Sequence, residues 1–72
     1  MKEETAVQVD VRLIEAIVLV NEFFKHDYRK TLIWFHTENL NFGNTKPIML
    51  FRIGRGHKAL QTIKDMLGGN IA

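Results

Sequence analysis

The chain has no cysteine, no serine, a single proline and no apolar run longer than Ala16 to Val20. Without cysteine there is no disulfide framework, no thiol nucleophile and no cysteine zinc site, which fits a reducing compartment. Without serine there is no serine nucleophile. A five-residue apolar run falls far short of the roughly 20 residues that a bilayer span needs, and the acidic Glu3-Glu4 start does not suit a signal peptide. A soluble, cytoplasmic protein is expected. His26, His36 and His57 are scattered and show no metal-binding spacing such as His-x-x-x-His. No pair of carboxylates is marked out for acid–base work. No catalytic residue, metal site or cofactor is therefore read from the chain, and an enzyme is not expected.

What is present bounds the fold. At 72 residues the chain is a single domain, residues 1–72, near the size where folding buries only about 60% of the unfolded surface. Such a domain gains stability from a partner. Apolar residues at 46% and charged residues at 25% indicate a folded core rather than disorder. The net charge of +2 conceals an asymmetry: residues 1–45 carry five basic and seven acidic side chains, a balance of −2, whereas residues 46–72 carry five basic and one acidic, a balance of +4. The basic half suits nucleic acid, an acidic protein surface or a phosphate-bearing ligand, and charge alone does not choose among them.

Periodicity predicts an all-α fold, a small bundle of about four helices joined by short loops marked by Gly, Asn and Pro. Residues 1–9 form a tail that periodicity leaves open, since Val7, Val9 and Val11 alternate with polar residues. Leu13, Ala16 or Ile17, Val20 and Phe23 or Phe24 share one face of a first helix, about Val11 to Lys25, with Asp10 as its N-cap. This helix is apolar around much of its circumference, and a homodimer interface through Ile17, Val20 and Phe24 is expected. Asp27 caps a second helix, about Tyr28 to Thr37, with Tyr28, Leu32 and Phe35 as its stripe and Thr31 and Trp34 beside it. The run Glu38 to Asn44 ends that helix, because Asn and Gly accept the left-handed conformation of tight turns. Within it Phe42 is expected to pack back onto the core. Pro47 opens a third helix, about Pro47 to Ile53, which Gly54 stops. A fourth runs from His57 to about Leu67, with Leu60, Ile63 and Leu67 inward and Met66 alongside.

Gly54 and Gly56 flank Arg55 just before that last helix. Backbone N–H groups there could cradle an anion, but a preceding strand and a third glycine are lacking, so a tight helix-to-helix turn is the preferred reading. Arg55, His57 and Lys58 then form an exposed basic surface. Trp34, Phe35 and Phe42 could stack on bases, although aromatics at helical spacing more often belong to a core.

Taken in order, Trp34-Phe35, Asn39-Leu40-Asn41-Phe42-Gly43-Asn44, Pro47, Leu50, Gly54-Arg55-Gly56-His57-Lys58, Leu60 and Ile63 resemble the toxin-binding domain of the MbcA/ParS/Xre antitoxins, over about residues 34–69. In this resemblance Trp34, Asn39, Phe42, Gly43, Pro47, Gly54 and Gly56 form the structural motif. The resemblance implies a small helical antitoxin, commonly oligomeric, that pairs with a RES-type toxin acting on NAD and lies over its active-site cleft. The corresponding toxin-binding surface comprises Arg52, Arg55, His57, Lys58 and Asn70, with the exposed face of the last helix and the tail Gly68 to Ala72. Two departures stand out. Lys46 precedes the proline where the family often has Thr or Ser, and only about 33 residues precede Trp34, too few for the helix-turn-helix region usually found upstream. Operator binding is therefore not carried over. The alternative reading is a small dimeric nucleic-acid-binding regulator that uses the same basic half.

Overall fold

Asp10 caps the first helix by accepting hydrogen bonds from the backbone N–H groups of Arg12 and Leu13 at 3.0 and 3.4 Å, a cap that stabilises a helix by about 1 kcal/mol. The computed structural model describes residues 10–68, so the open reading of residues 1–9 and the expectation for Asn70 fall outside the described residues. Within them the chain is all-α: α1 Val11–Phe23, α2 Tyr28–Phe35, α3 Pro47–Arg52 and α4 Gly56–Gly68, with a single 3-10 turn at Leu40–Phe42 and no strand. The four expected helices are present. Three end earlier than periodicity suggested, because Phe24, His36 and Ile53 act as C-caps, which leaves Lys25 and Thr37 outside the helices.

The end of α1 shows why it stops. Lys25 donates its backbone N–H to the Glu22 carbonyl at 3.0 Å and His26 donates to that of Asn21 at 2.7 Å, the paired closure of a Schellman motif. Lys25 and His26 have φ of 57° and 66°, so two side-chain-bearing residues occupy the left-handed region where glycine is normally used. Asp27 then caps α2 by accepting from the Lys30 N–H at 3.2 Å.

α2 is rotated relative to its expected stripe. Phe35 is buried as expected, but Tyr28 and Leu32 are 61% and 40% exposed and Thr31, one position before Leu32, is buried in their place. The rotation is tolerated because the Thr31 hydroxyl is satisfied: Oγ1 lies 3.0 Å from Asn21 Oδ1 and 3.1 Å from the Asp27 carbonyl oxygen. Since buried hydroxyls are costly only when unpaired, a threonine can face the core here.

Loop 39–45 folds on itself. Asn39 accepts from the N–H of Asn41 through its side chain at 2.9 Å and from Asn44 through its carbonyl at 2.9 Å, while its own N–H donates to Thr45 at 3.2 Å. Gly43 and Asn44 adopt φ of 70° and 61°. This closure swings Phe42 inward to 7% exposure, edge-on to Trp34 at 5.7 Å between ring centroids. Both expectations for the loop, its turn residues and the inward Phe42, agree with this geometry.

α4 is the central element and packs against α1, α3 and the 3-10 turn. Its inward residues Ala59, Leu60 and Ile63 meet Ala16 and Val20 of α1, Phe35, Phe42 and Phe51 in one cluster. Each large side chain so buried stabilises the fold by about 1.5–3 kcal/mol. An exposed ion pair, Lys64 Nζ to Glu15 Oε2 at 3.2 Å, ties α4 to α1 and contributes about 0–1 kcal/mol.

Candidate functional site

The turn between α3 and α4 is held from both sides. The Arg55 N–H donates to the Leu50 carbonyl at 2.8 Å across Gly54, whose φ of 83° is the left-handed conformation that glycine adopts at helix ends. Gly56 has a different role. A Cβ placed there would stand 2.8 Å from Phe51 Cδ1 and 3.4 Å from Asp10 Oδ2, so this position is glycine because a core ring occupies the space. The Asp10 carboxylate beside the start of α4 also answers the anion-loop possibility. A phosphate bound there would face a negative charge, and the tight-turn reading fits better.

Arg52, Gly54, Arg55, His57 and Lys58 are exposed and Gly56 is buried. Among the described residues the ion pair is Lys64 with Glu15, and Arg52, Arg55, His57 and Lys58 have no carboxylate partner. The four do not converge on one point. Arg55, the residue just before α4, accepts from the Ala59 N–H at 3.0 Å and leads at spacings of three and four to Lys58 and Thr62, so the three follow one side of the helix, while His57 lies about 100° around it from Lys58. The side with Arg55, Lys58 and Thr62 forms one wall of a groove of about 200 Å3. Asn41, Phe42 and Gly43 of the closed loop form the opposite wall, and Leu50 of α3 completes it. Arg52 and His57 do not line this groove.

Sequence reading therefore found two of the groove's residues as basic anchors, Arg55 and Lys58, and two as packing, Phe42 and Leu50. It missed the convergence of the Asn-Phe-Gly turn with α4. The signal that was present is the Arg55, Lys58, Thr62 spacing, obscured by the contiguity of Arg55 through Lys58.

Of the three residues expected in a dimer interface, Ile17, Val20 and Phe24, one lies inward. Val20 is 2% exposed and belongs to the chain's own core, while Ile17 and Phe24 are partly buried against that core. The large apolar residues that α1 leaves exposed are Val11, Ile14, Val18 and Phe23, at 71%, 48%, 50% and 63% exposure, the first three on one stripe. The helix is apolar on two faces, and the intramolecular face took Val20. A second, smaller cavity of about 110 Å3 lies at the other end of the bundle among Phe23, Phe24, Trp34 and the last turn of α4; its lining is apolar.

Among the described residues no group of His, Asp or Glu could hold a metal ion, and no helix is long and apolar enough to cross a membrane. Fold and site together define a small all-α bundle that presents a basic turn beside a groove. No protein-family model, curated protein or solved structure matches the chain, so function is argued from the residues and their geometry.

Proposed function

We propose that this chain is a protein-binding module of antitoxin type, not an enzyme, which neutralises a RES-type, NAD-consuming toxin by covering the toxin's active site. The observation that carries the reading is the set of exposed basic side chains, Arg52, Arg55, His57 and Lys58, on a turn fixed by the Arg55–Leu50 bond and the Phe51–Gly56 contact. Rigid presentation of charge favours steering and register with an acidic partner. The resemblance of residues 34–69 to the toxin-binding domain names the class of partner.

The test is co-expression with the product of the adjacent reading frame. The two proteins are expected to co-purify, and the chain to preserve cellular NAD when that product is induced. A product that is not retained and kills cells regardless would refute the proposal. Charge reversal at Arg55 and Lys58 is expected to weaken the complex at least about tenfold, or about 1.4 kcal/mol, with helicity unchanged. A nucleic-acid-binding regulator would instead bind promoter DNA with affinity falling steeply as salt rises.

The outward stripe of Val11, Ile14 and Val18 supports a second element of the proposal, self-association through α1. Three large apolar residues on one helical face are an interaction surface rather than scattered exposure. Light scattering of the purified chain tests it, and a monomer at all accessible concentrations removes it.

A further inference from the structure

The groove between α4 and loop 39–45 combines features that the basic turn alone does not have. Its floor is apolar, with Phe42 only 7% exposed and Leu50 half-buried. Among the described residues its rim carries two cations, Arg55 and Lys58, and no carboxylate. The Thr62 hydroxyl donates to the Lys58 carbonyl at 3.0 Å, so its lone pairs, the Asn41 amide and the two cations are the polar groups offered to an occupant. A metal ion or other cation is excluded by the sign of that rim. A small-molecule cofactor is disfavoured by size, because 200 Å3 lies below the roughly 300–1,000 Å3 usual for such sites. A nucleic-acid strand needs a row of cations following its phosphates, and here there are two above an apolar floor. What fits is a side-chain-sized occupant with one negative and one apolar part.

We propose that this groove is a receptor for a protein segment in which a carboxylate side chain stands next to a leucine or an aromatic residue. The carboxylate pairs with Arg55, whose guanidinium offers a planar two-donor fork, and with Lys58 one turn along. The neighbouring apolar side chain rests on Phe42 and Leu50. This rests on the protein-binding reading above and assigns recognition within that surface: Arg55 and Lys58 read the partner, whereas Arg52 and His57, which do not line the groove, contribute only long-range attraction.

The experiment uses the isotopically labelled full chain and NMR chemical-shift mapping. The probes are a blocked pentapeptide with a central aspartate between leucine and phenylalanine, the same peptide with asparagine, inorganic phosphate, and a short DNA duplex. The aspartate peptide is expected to shift the amides of Gly43, Arg55, Lys58 and Thr62 at least about fivefold more than the asparagine peptide. R55Q and K58Q each remove most of that response, while R52Q and H57Q retain it. Circular dichroism confirms that the exposed substitutions leave the fold intact. Equal response to both peptides, mapping to the His57 side, or no response at millimolar peptide overturns the proposal. So does an equal effect of phosphate alone, or saturation of the same amides by the duplex with a steeper salt dependence. The two proposals fail separately. A complex with the adjacent-frame product that ignores R55Q and K58Q removes the groove receptor and leaves the module; peptide binding without such a complex does the reverse.

Discussion

Gly56→Ala should destabilise the domain, although alanine is the better helix former. Gly56 is the first residue of α4, and replacing a helical glycine by alanine ordinarily gains roughly 0.5–1 kcal/mol, less at a helix end. Against this, the new methyl would stand 2.8 Å from Phe51 Cδ1 and 3.3 Å from Cε1. The ring cannot swing away freely, since Phe51 is 8% exposed and packs against Phe35 at 6.5 Å between centroids. Forcing an extra methyl into a filled space costs about 1–3 kcal/mol, so the net loss is about 1–2 kcal/mol. In a domain of this size each kcal/mol shifts Tm by about 4–8 °C. Thermal and urea unfolding followed by circular dichroism should therefore show a Tm lower by roughly 5–15 °C. The double variant isolates the cause: in a Phe51→Leu background, where Cε1 is gone and the δ carbons are no longer held in a rigid ring and can turn away, the cost of Gly56→Ala should shrink by more than half. Gly54→Ala is the control. Its penalty of about 1–2 kcal/mol arises from the φ of 83°, with nothing within 4 Å of the added carbon, so Phe51→Leu should not relieve it. An unchanged or raised Tm for Gly56→Ala, or an identical cost in both backgrounds, would refute the packing explanation.

Three further outcomes are expected. Lys25→Gly should stabilise by about 0.5–1 kcal/mol, because it removes a left-handed lysine at the end of α1; a loss of stability in urea unfolding would show that the Lys25 side chain contributes more than its backbone costs. Thr31→Val should destabilise by about 0.5–1.5 kcal/mol through the lost hydroxyl contacts to Asn21 and Asp27, and an unchanged urea midpoint would show those bonds to be dispensable. Val18→Glu should abolish self-association in light scattering without lowering Tm, since Val18 is 50% exposed; an oligomer that survives it uses another face.

Local chemistry was legible where a residue's own backbone decides. Asp10 and Asp27 as caps, Pro47 at the start of α3, and Gly43 and Gly54 at positive φ all follow from side chains acting within a few residues of themselves. The orientation of α2 was not legible. Two turns of helix contain too few positions to fix a phase, and the partner that admits Thr31 is Asn21, ten residues away. Likewise, an α1 that is apolar on two faces does not announce which face the chain itself will bury, and Val20, expected in a dimer interface, lies in the chain's own core. Gly56 reads in the sequence as half of a symmetric Gly-x-Gly turn; only the position of the Phe51 ring shows that its two glycines serve different ends.

That division between the glycines bears on the proposed function. Gly54 lets the chain reverse and places the Arg55 N–H on Leu50, while Gly56 lets α4 begin directly against the core. Arg55 therefore sits between two fixed points, and Lys58 follows one turn later on a helix anchored by Ala59, Leu60 and Ile63. Opposite them, loop 39–45 is closed by its own backbone bonds and anchored by Phe42. Both walls of the groove are thus set by core residues, and an occupant need not order them on binding, which lowers the entropic cost of association. The same reasoning separates Arg52 and His57 from the groove pair. They share the sequence neighbourhood and the charge but not the wall, so their removal should slow association without changing which partner is chosen.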